Sequence, residues 1–145
     1  MKHLLASSLL LVTFLSCQKE EIPDANLNVY PQTWQLAKMT GNFPVFVKTG
    51  SDLPFQETYV FQADSTFTRT RQQGGQVIEV SGTFSARSYT DGPHLTLTYP
   101  ADNNLINNCT AEPKETLIFQ AENKTLTSSS QPCDGPLLEY TMSNR

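Results

Sequence analysis

After residue 32 the chain alternates apolar and polar positions with a period of two, and no stretch keeps the 3.6-residue period of a helix. Thr33 to Met39 places Trp34, Leu36 and, if the alternation continues, Lys38 on one face. Strands are predicted at 58–62 and 66–72 around a tight turn at 63–65. Gly74-Gly75 predicts a two-residue hairpin into a long strand, 76–87, whose Ile78, Val80, Gly82 and Phe84 share a face. Asp91-Gly92-Pro93 turns the chain into 94–99. The last strands are 115–121, then 126–130 after an Asn123-Lys124 turn, and 137–142. These make eight strands in sequence order, joined mostly as hairpins. The predicted fold is all-β, an eight-stranded antiparallel up-and-down barrel, because closure removes exposed edges. A two-sheet sandwich is the alternative, but nothing in the strand order suggests its crossing connections.

In such a meander alternate loops lie at one end. The loops at 63–65, 88–93 and 123–124 are short and share an end, while 40–56, 100–113 and 131–136 are long and share the other. One end is therefore tight, and the other carries large loops around an opening. Cys109 and Cys133 both fall in long loops, so a bridge between them is permitted by the topology.

The chain start changes the picture. Met1-Lys2-His3 is basic and precedes an apolar run, Leu4 to Leu15, which is shorter than a membrane span needs and has the flanks of a secretory signal. Phe14-Leu15-Ser16-Cys17 resembles a bacterial lipobox, with cleavage before Cys17 and a diacylglycerol on its thiol. Residues 1–16 are then a lipoprotein signal peptide, 17–29 a lipidated N-terminus and tether, and 30–145 the barrel domain. Gln18-Lys19-Glu20-Glu21 resembles the acidic export signal of surface lipoproteins in Bacteroidetes-type bacteria. The expected location is the outer membrane, lipid-anchored and surface-exposed, with the periplasmic face as the fallback. Three cysteines are an odd number for an exported chain. With Cys17 assigned to the lipid, Cys109 and Cys133 remain as a pair in an oxidising compartment, and a disulfide is expected.

Removing residues 1–16 leaves 129, enough for one domain with a core. Ten Lys and Arg, less Lys2, stand against 14 Asp and Glu, so the mature net charge is near −5. An acidic domain with no basic stripe is a poor nucleic-acid binder. No cofactor, metal site or catalytic group is predicted. His94 is the one histidine of the mature chain and lies on the face opposite Leu95 and Leu97, too little for a triad or a histidine-rich metal site. Asp102-Asn103-Asn104 lacks the ligand spacing of a calcium loop and reads as a solvated turn. An enzyme is not expected.

Several segments now combine: Trp34 early in the first strand, Thr58 to Phe67 with its Thr-Tyr-x-Phe-x-Ala-Asp-turn-Phe pattern, Ser81-Gly82-Thr83-Phe84, and Cys133-Asp134-Gly135-Pro136. Together, across about residues 30–143, they resemble the lipocalin-like lipoproteins of Bacteroidetes. That resemblance implies an eight-stranded barrel whose closed end is plugged by Trp34, and binding of small apolar or amphipathic molecules. Asp64-Ser65-Thr66 also resembles the O-glycosylation sequon of the same bacteria.

Candidate ligand groups are Phe43, Phe46, Phe55, Leu105 and Ile106, apolar residues within the long loops. They fold over the mouth as a lid, or they line a ligand entrance. Phe67, Arg69 and Arg71 share a strand face. If Phe67 points inward, both arginines do, and a guanidinium there could clamp a ligand carboxylate. The desolvation cost of an unpaired arginine favours instead a bulge or strand end that turns them to solvent. The reading is thus a non-enzymatic, envelope-anchored barrel, held to the membrane by the Cys17 lipid and binding a small hydrophobic or amphipathic ligand. The alternative is a filled barrel acting as a protein-interaction or structural module, its partner unknown. Large residues predicted inward, from Trp34 and Phe61 to Tyr140 and Met142, bear on that choice because a small barrel is readily filled.

Overall fold

Alternation in the sequence becomes alternation of burial. In β3 (Gln56–Phe61) Glu57, Tyr59 and Phe61 are buried and their neighbours half-buried or exposed. The same holds for β7 (Lys114–Gln120), β8 (Thr125–Ser128) and the first four residues of β9 (Leu137–Met142). The other strands are β1 (Gln32–Asn42), β2 (Val45–Thr49), β4 (Thr66–Gln73), β5 (Gln76–Tyr89) and β6 (Gly92–Thr98). This computed structural model describes residues 29–42, 45–129 and 133–143; the signal segment, Cys17, most of the tether and Phe43 lie outside them.

All pairings are antiparallel, in the order β2-β1-β3-β4-β5-β6-β7-β8-β9, and β1 also pairs with β9. Eight strands therefore close into an up-and-down barrel, with β2 as one additional strand on β1. The predicted 40–56 connection is accordingly not a plain loop: it contains β2 and a short 3-10 turn, Gly50–Asp52.

A bulge in β1 lies where its neighbour changes from β3 to β2. Leu36 pairs with Tyr140 but Lys38 pairs with Glu139, so Ala37 is an extra residue in β1. A bulge shifts the pleat by one. Trp34 and Leu36 point in below it, and Met39 and Gly41 are the buried positions above it. Lys38 is thereby turned outward, where its Nζ meets Glu139 Oε1 at 3.0 Å. The lower part of β1 pairs with β3 and the upper part with β2.

Turn chemistry matches the hairpins. Gly74 and Gly75 both have positive φ, the requirement of a tight two-residue hairpin. Ser65 is also at positive φ, and Asp64 Oδ1 accepts from the Thr66 backbone N–H at 3.1 Å and its hydroxyl at 2.6 Å. Two other glycines lie opposite phenylalanines: Gly41 pairs with Phe46 and Gly82 with Phe67. A Cβ on Gly82 would come within 2.2 Å of the Thr98 carbonyl and 2.8 Å of the Phe67 ring. Only a bare backbone lets that ring lie flat on the sheet.

The short turns at 62–65, 90–91 and 121–124 are at one end. At the other are the β2 region, the Gly74-Gly75 hairpin, the 99–113 loop and the 129–136 connection. Near the short-turn end, Trp34 is fully buried, donates from Nε1 to Gln32 Oε1 at 3.1 Å and meets Phe119 edge-on. Phe61, Phe67, Leu97, Leu117 and Leu126 complete this apolar half. Each such side chain contributes roughly 1.5–3 kcal/mol by leaving water. Met142, expected inward, is exposed because β9 ends there. Cys109 and Cys133 form a disulfide with Cα atoms 5.5 Å apart, tying the two long connections together at the mouth.

Candidate functional site

The barrel's upper half is filled by charge. Glu57 on β3, Arg69 on β4 and Glu115 on β7 all occupy inward positions and are buried. Arg69 Nη2 donates to Glu57 Oε1 at 2.9 Å, and its Nη1 donates to both Glu115 oxygens, at 3.2 and 3.1 Å. Three tyrosines surround them. Tyr59 and Tyr99 donate their hydroxyls to Glu115 Oε1 at 2.6 and 2.5 Å, and Tyr140 donates to Glu57 Oε1 at 2.6 Å. Higher on β4, Arg71 Nε donates to Glu57 Oε2 at 2.5 Å. Two carboxylates thus face two guanidiniums, and the ionised cluster is neutral.

Geometry keeps the Glu57–Arg69 pair ionised. Burial alone would raise the Glu57 carboxyl, but Arg69, aided by Arg71 and the Tyr140 hydroxyl, holds it below the ordinary 4.5. Burial alone would lower Arg69, yet the Glu115 and Glu57 carboxylates around it hold it well above its usual range. Burial first, then the adjacent carboxylates, pushes the Tyr59, Tyr99 and Tyr140 hydroxyls well above 10. These phenols are therefore neutral donors, which is what the carboxylates need.

Both arginines point inward, contrary to the expectation that cost would turn them to solvent. The expectation priced an unpaired arginine, and Arg69 is paired twice. Leu117 and Phe119 share an inward face with Glu115 two residues earlier, so the partner's placement was implicit in the alternation. Glu57 lay just outside the predicted strand 58–62, and β3 in fact begins at Gln56.

The 99–113 loop seals the cluster. Asn103 Oδ1 accepts from the Leu105 N–H at 3.0 Å, a local turn that delivers Leu105 into the mouth. Leu105 is buried, its carbonyl accepts from Arg69 Nη1, and the Asn107 N–H donates to Glu115 Oε2 at 2.9 Å. Ile106, Phe46 and Phe55 are half-buried and pack against the core at this end. Phe67 instead lies deep, 5.1 Å centroid to centroid from Tyr99 and edge-on to it. The Phe55 ring lies under the Arg71 guanidinium, whose carbon is 3.9 Å from the ring centroid. Phe43 is outside the described residues.

Elsewhere, His94 Nε2 lies 3.0 Å from the Asp91 carboxylate on the surface. Among the described residues no group of three or more His, Cys, Asp and Glu is placed to hold a metal, and no helix is long and apolar enough to cross a membrane. An open trough of about 530 Å³ crosses the outer face of β7, β8 and β9, floored by Ile118 and Leu137 and walled by Gln120, Thr125 and Thr127. Comparison with protein-family models, curated proteins and solved structures finds no match.

Proposed function

We propose that this protein is a lipid-anchored binding module of the bacterial envelope, lipocalin-like in design, that takes a small amphipathic ligand at its loop-bearing mouth. One observation carries the reading. Phe46, Phe55 and Ile106 pack half-buried against the core at the mouth, Phe55 directly against the Arg71 guanidinium, while the barrel below them is occupied by its own side chains. A ligand site at the rim fits that distribution better than a deep calyx. The reading is binding without turnover, since Leu105 covers the ionic cluster, whose carboxylates, tyrosine hydroxyls and Arg69 Nη groups are all committed to scaffold contacts.

The test is native mass spectrometry of the mature protein purified from its own host, followed by organic extraction. A co-purifying small molecule that is lost in Phe55→Ala supports the reading. An apo mass, with no uptake of added fatty acids, sinks it.

A second reading, a protein-interaction module, is favoured by β2. Among the described residues this strand pairs with β1 alone, and Val45 and Val47 are 81% and 61% exposed along it. An apolar edge of that kind invites an added strand from a partner. Val47→Lys should abolish capture of such a partner and leave ligand uptake unchanged.

A further inference from the structure

Arg69 and Arg71 are two residues apart on one face of β4, yet they are used differently. Arg69 is enclosed by Glu57, Glu115, Tyr99 and the Leu105 carbonyl. Among the described residues Arg71 has a single hydrogen bond, from Nε to Glu57. Its guanidinium is held in orientation by that bond on one edge and by the Phe55 ring on one face. The side chain is only 15% exposed, but neither Nη group has a hydrogen-bond partner among the described residues. A guanidinium fixed on two sides, with both Nη groups unpaired among the described residues, is preorganised for a planar anion that accepts two parallel N–H bonds.

Register supplies the apolar surroundings. Arg71 pairs with Ile78 and Arg69 with Val80. Directly opposite residues share a sheet face. Ile78 and Val80 therefore lie on the same side of the β4–β5 hairpin as Arg71. Ile78 is nevertheless 36% exposed, because the hairpin runs on past the rim to Gly74-Gly75.

Charge balance decides the class of ligand. With Glu57 and Glu115 matched by Arg69 and Arg71, the buried cluster carries no surplus positive charge to attract a bare anion or a phosphate dianion. A monoanion gains enough only if an apolar chain adds burial to the two hydrogen bonds. We infer that Arg71 receives the carboxylate of a fatty-acid-like amphiphile, whose chain lies over Phe55 and Ile78. This rests on the rim-binding reading above and adds the headgroup, the receptor residue and the chain path.

The experiment is equilibrium dialysis of the mature chain against dodecanoate, dodecanol, dodecylamine and acetate, each below its self-association concentration. The expected result is that dodecanoate binds about tenfold or more tightly than dodecanol, the range of a charge-assisted pair at a partly buried site. Arg71→Gln should bring dodecanoate down to the affinity of dodecanol, and Ile78→Ser should weaken both alike. Acetate should not compete. Equal affinity for acid and alcohol, preference for the amine, competition by acetate, or an acid preference that survives Arg71→Gln would each overturn the inference and leave rim binding standing. If none of the three chains binds, both fall. Should Arg71→Gln fail to fold, the wild-type ranking of acid, alcohol and amine decides alone.

Discussion

Arg69 Nη2 and Glu57 Oε1 lie 2.9 Å apart inside the barrel, and neither side chain reaches solvent. A buried ion pair gains little over a well-packed apolar pair, but removing one partner strands the other, at a cost of roughly 3–5 kcal/mol.

Arg69→Met is therefore expected to lower stability by about 3–5 kcal/mol, since two carboxylates would be left without their common partner. The triple variant Arg69→Met, Glu57→Gln, Glu115→Gln should recover part of that loss, because no uncompensated carboxylate remains. Urea unfolding checks both, and a single variant as stable as the parent would show that the cluster is not ionised.

Stability should have two pH edges. Glu57 has a folded pKa below the ordinary 4.5, so its contribution is present above that value and is lost as pH falls through it toward the folded pKa. Tyr59, Tyr99 and Tyr140 have folded pKa values above 10, so theirs is present below 10 and is lost as pH rises beyond it. Above about pH 10 each tyrosine should remove about 1.4 kcal/mol per pH unit. Tyr99→Phe should shallow that alkaline slope. Urea midpoints that stay level across the alkaline range would contradict it.

The Cys109–Cys133 bridge closes a sequence separation of 24 residues. Its loss in the double Cys→Ala variant should cost about 3 kcal/mol, mainly through the unfolded chain. Because the bridge anchors the loop that carries Leu105, amide exchange at Leu105 and Asn107 should accelerate more than at Leu97. Uniform acceleration would mean that the bridge acts only globally.

Cys17 carries the anchoring proposal. In a host that lipidates such proteins, labelled fatty acid should enter the parent chain and be absent from Cys17→Ala, which should also leave the membrane fraction. Label retained in the variant would remove the lipoprotein reading, with no consequence for the barrel.

Much of this molecule was legible in its sequence. A period of two marks strands whatever their partners, and Gly74-Gly75 or Asp64-Ser65 can only turn there, because positive φ is a local property. From strand order alone the long loops fall at one end, and with them the two cysteines that are bonded in the structure. Other features had no local sign. The bulge at Ala37 lies where one neighbour of β1 changes from β3 to β2 while β9 pairs along the other edge, and it decides that Met39 rather than Lys38 faces inward. The two arginines were the larger question. Whether a guanidinium can be buried depends on partners 12 and 46 residues away, on β3 and β7, and only the closed barrel brings those carboxylates to it. Local pattern determined most of the inward positions; tertiary structure set the pleat above Ala37 and decided which charges could stay inside, because desolvation is offset only by groups that meet in space.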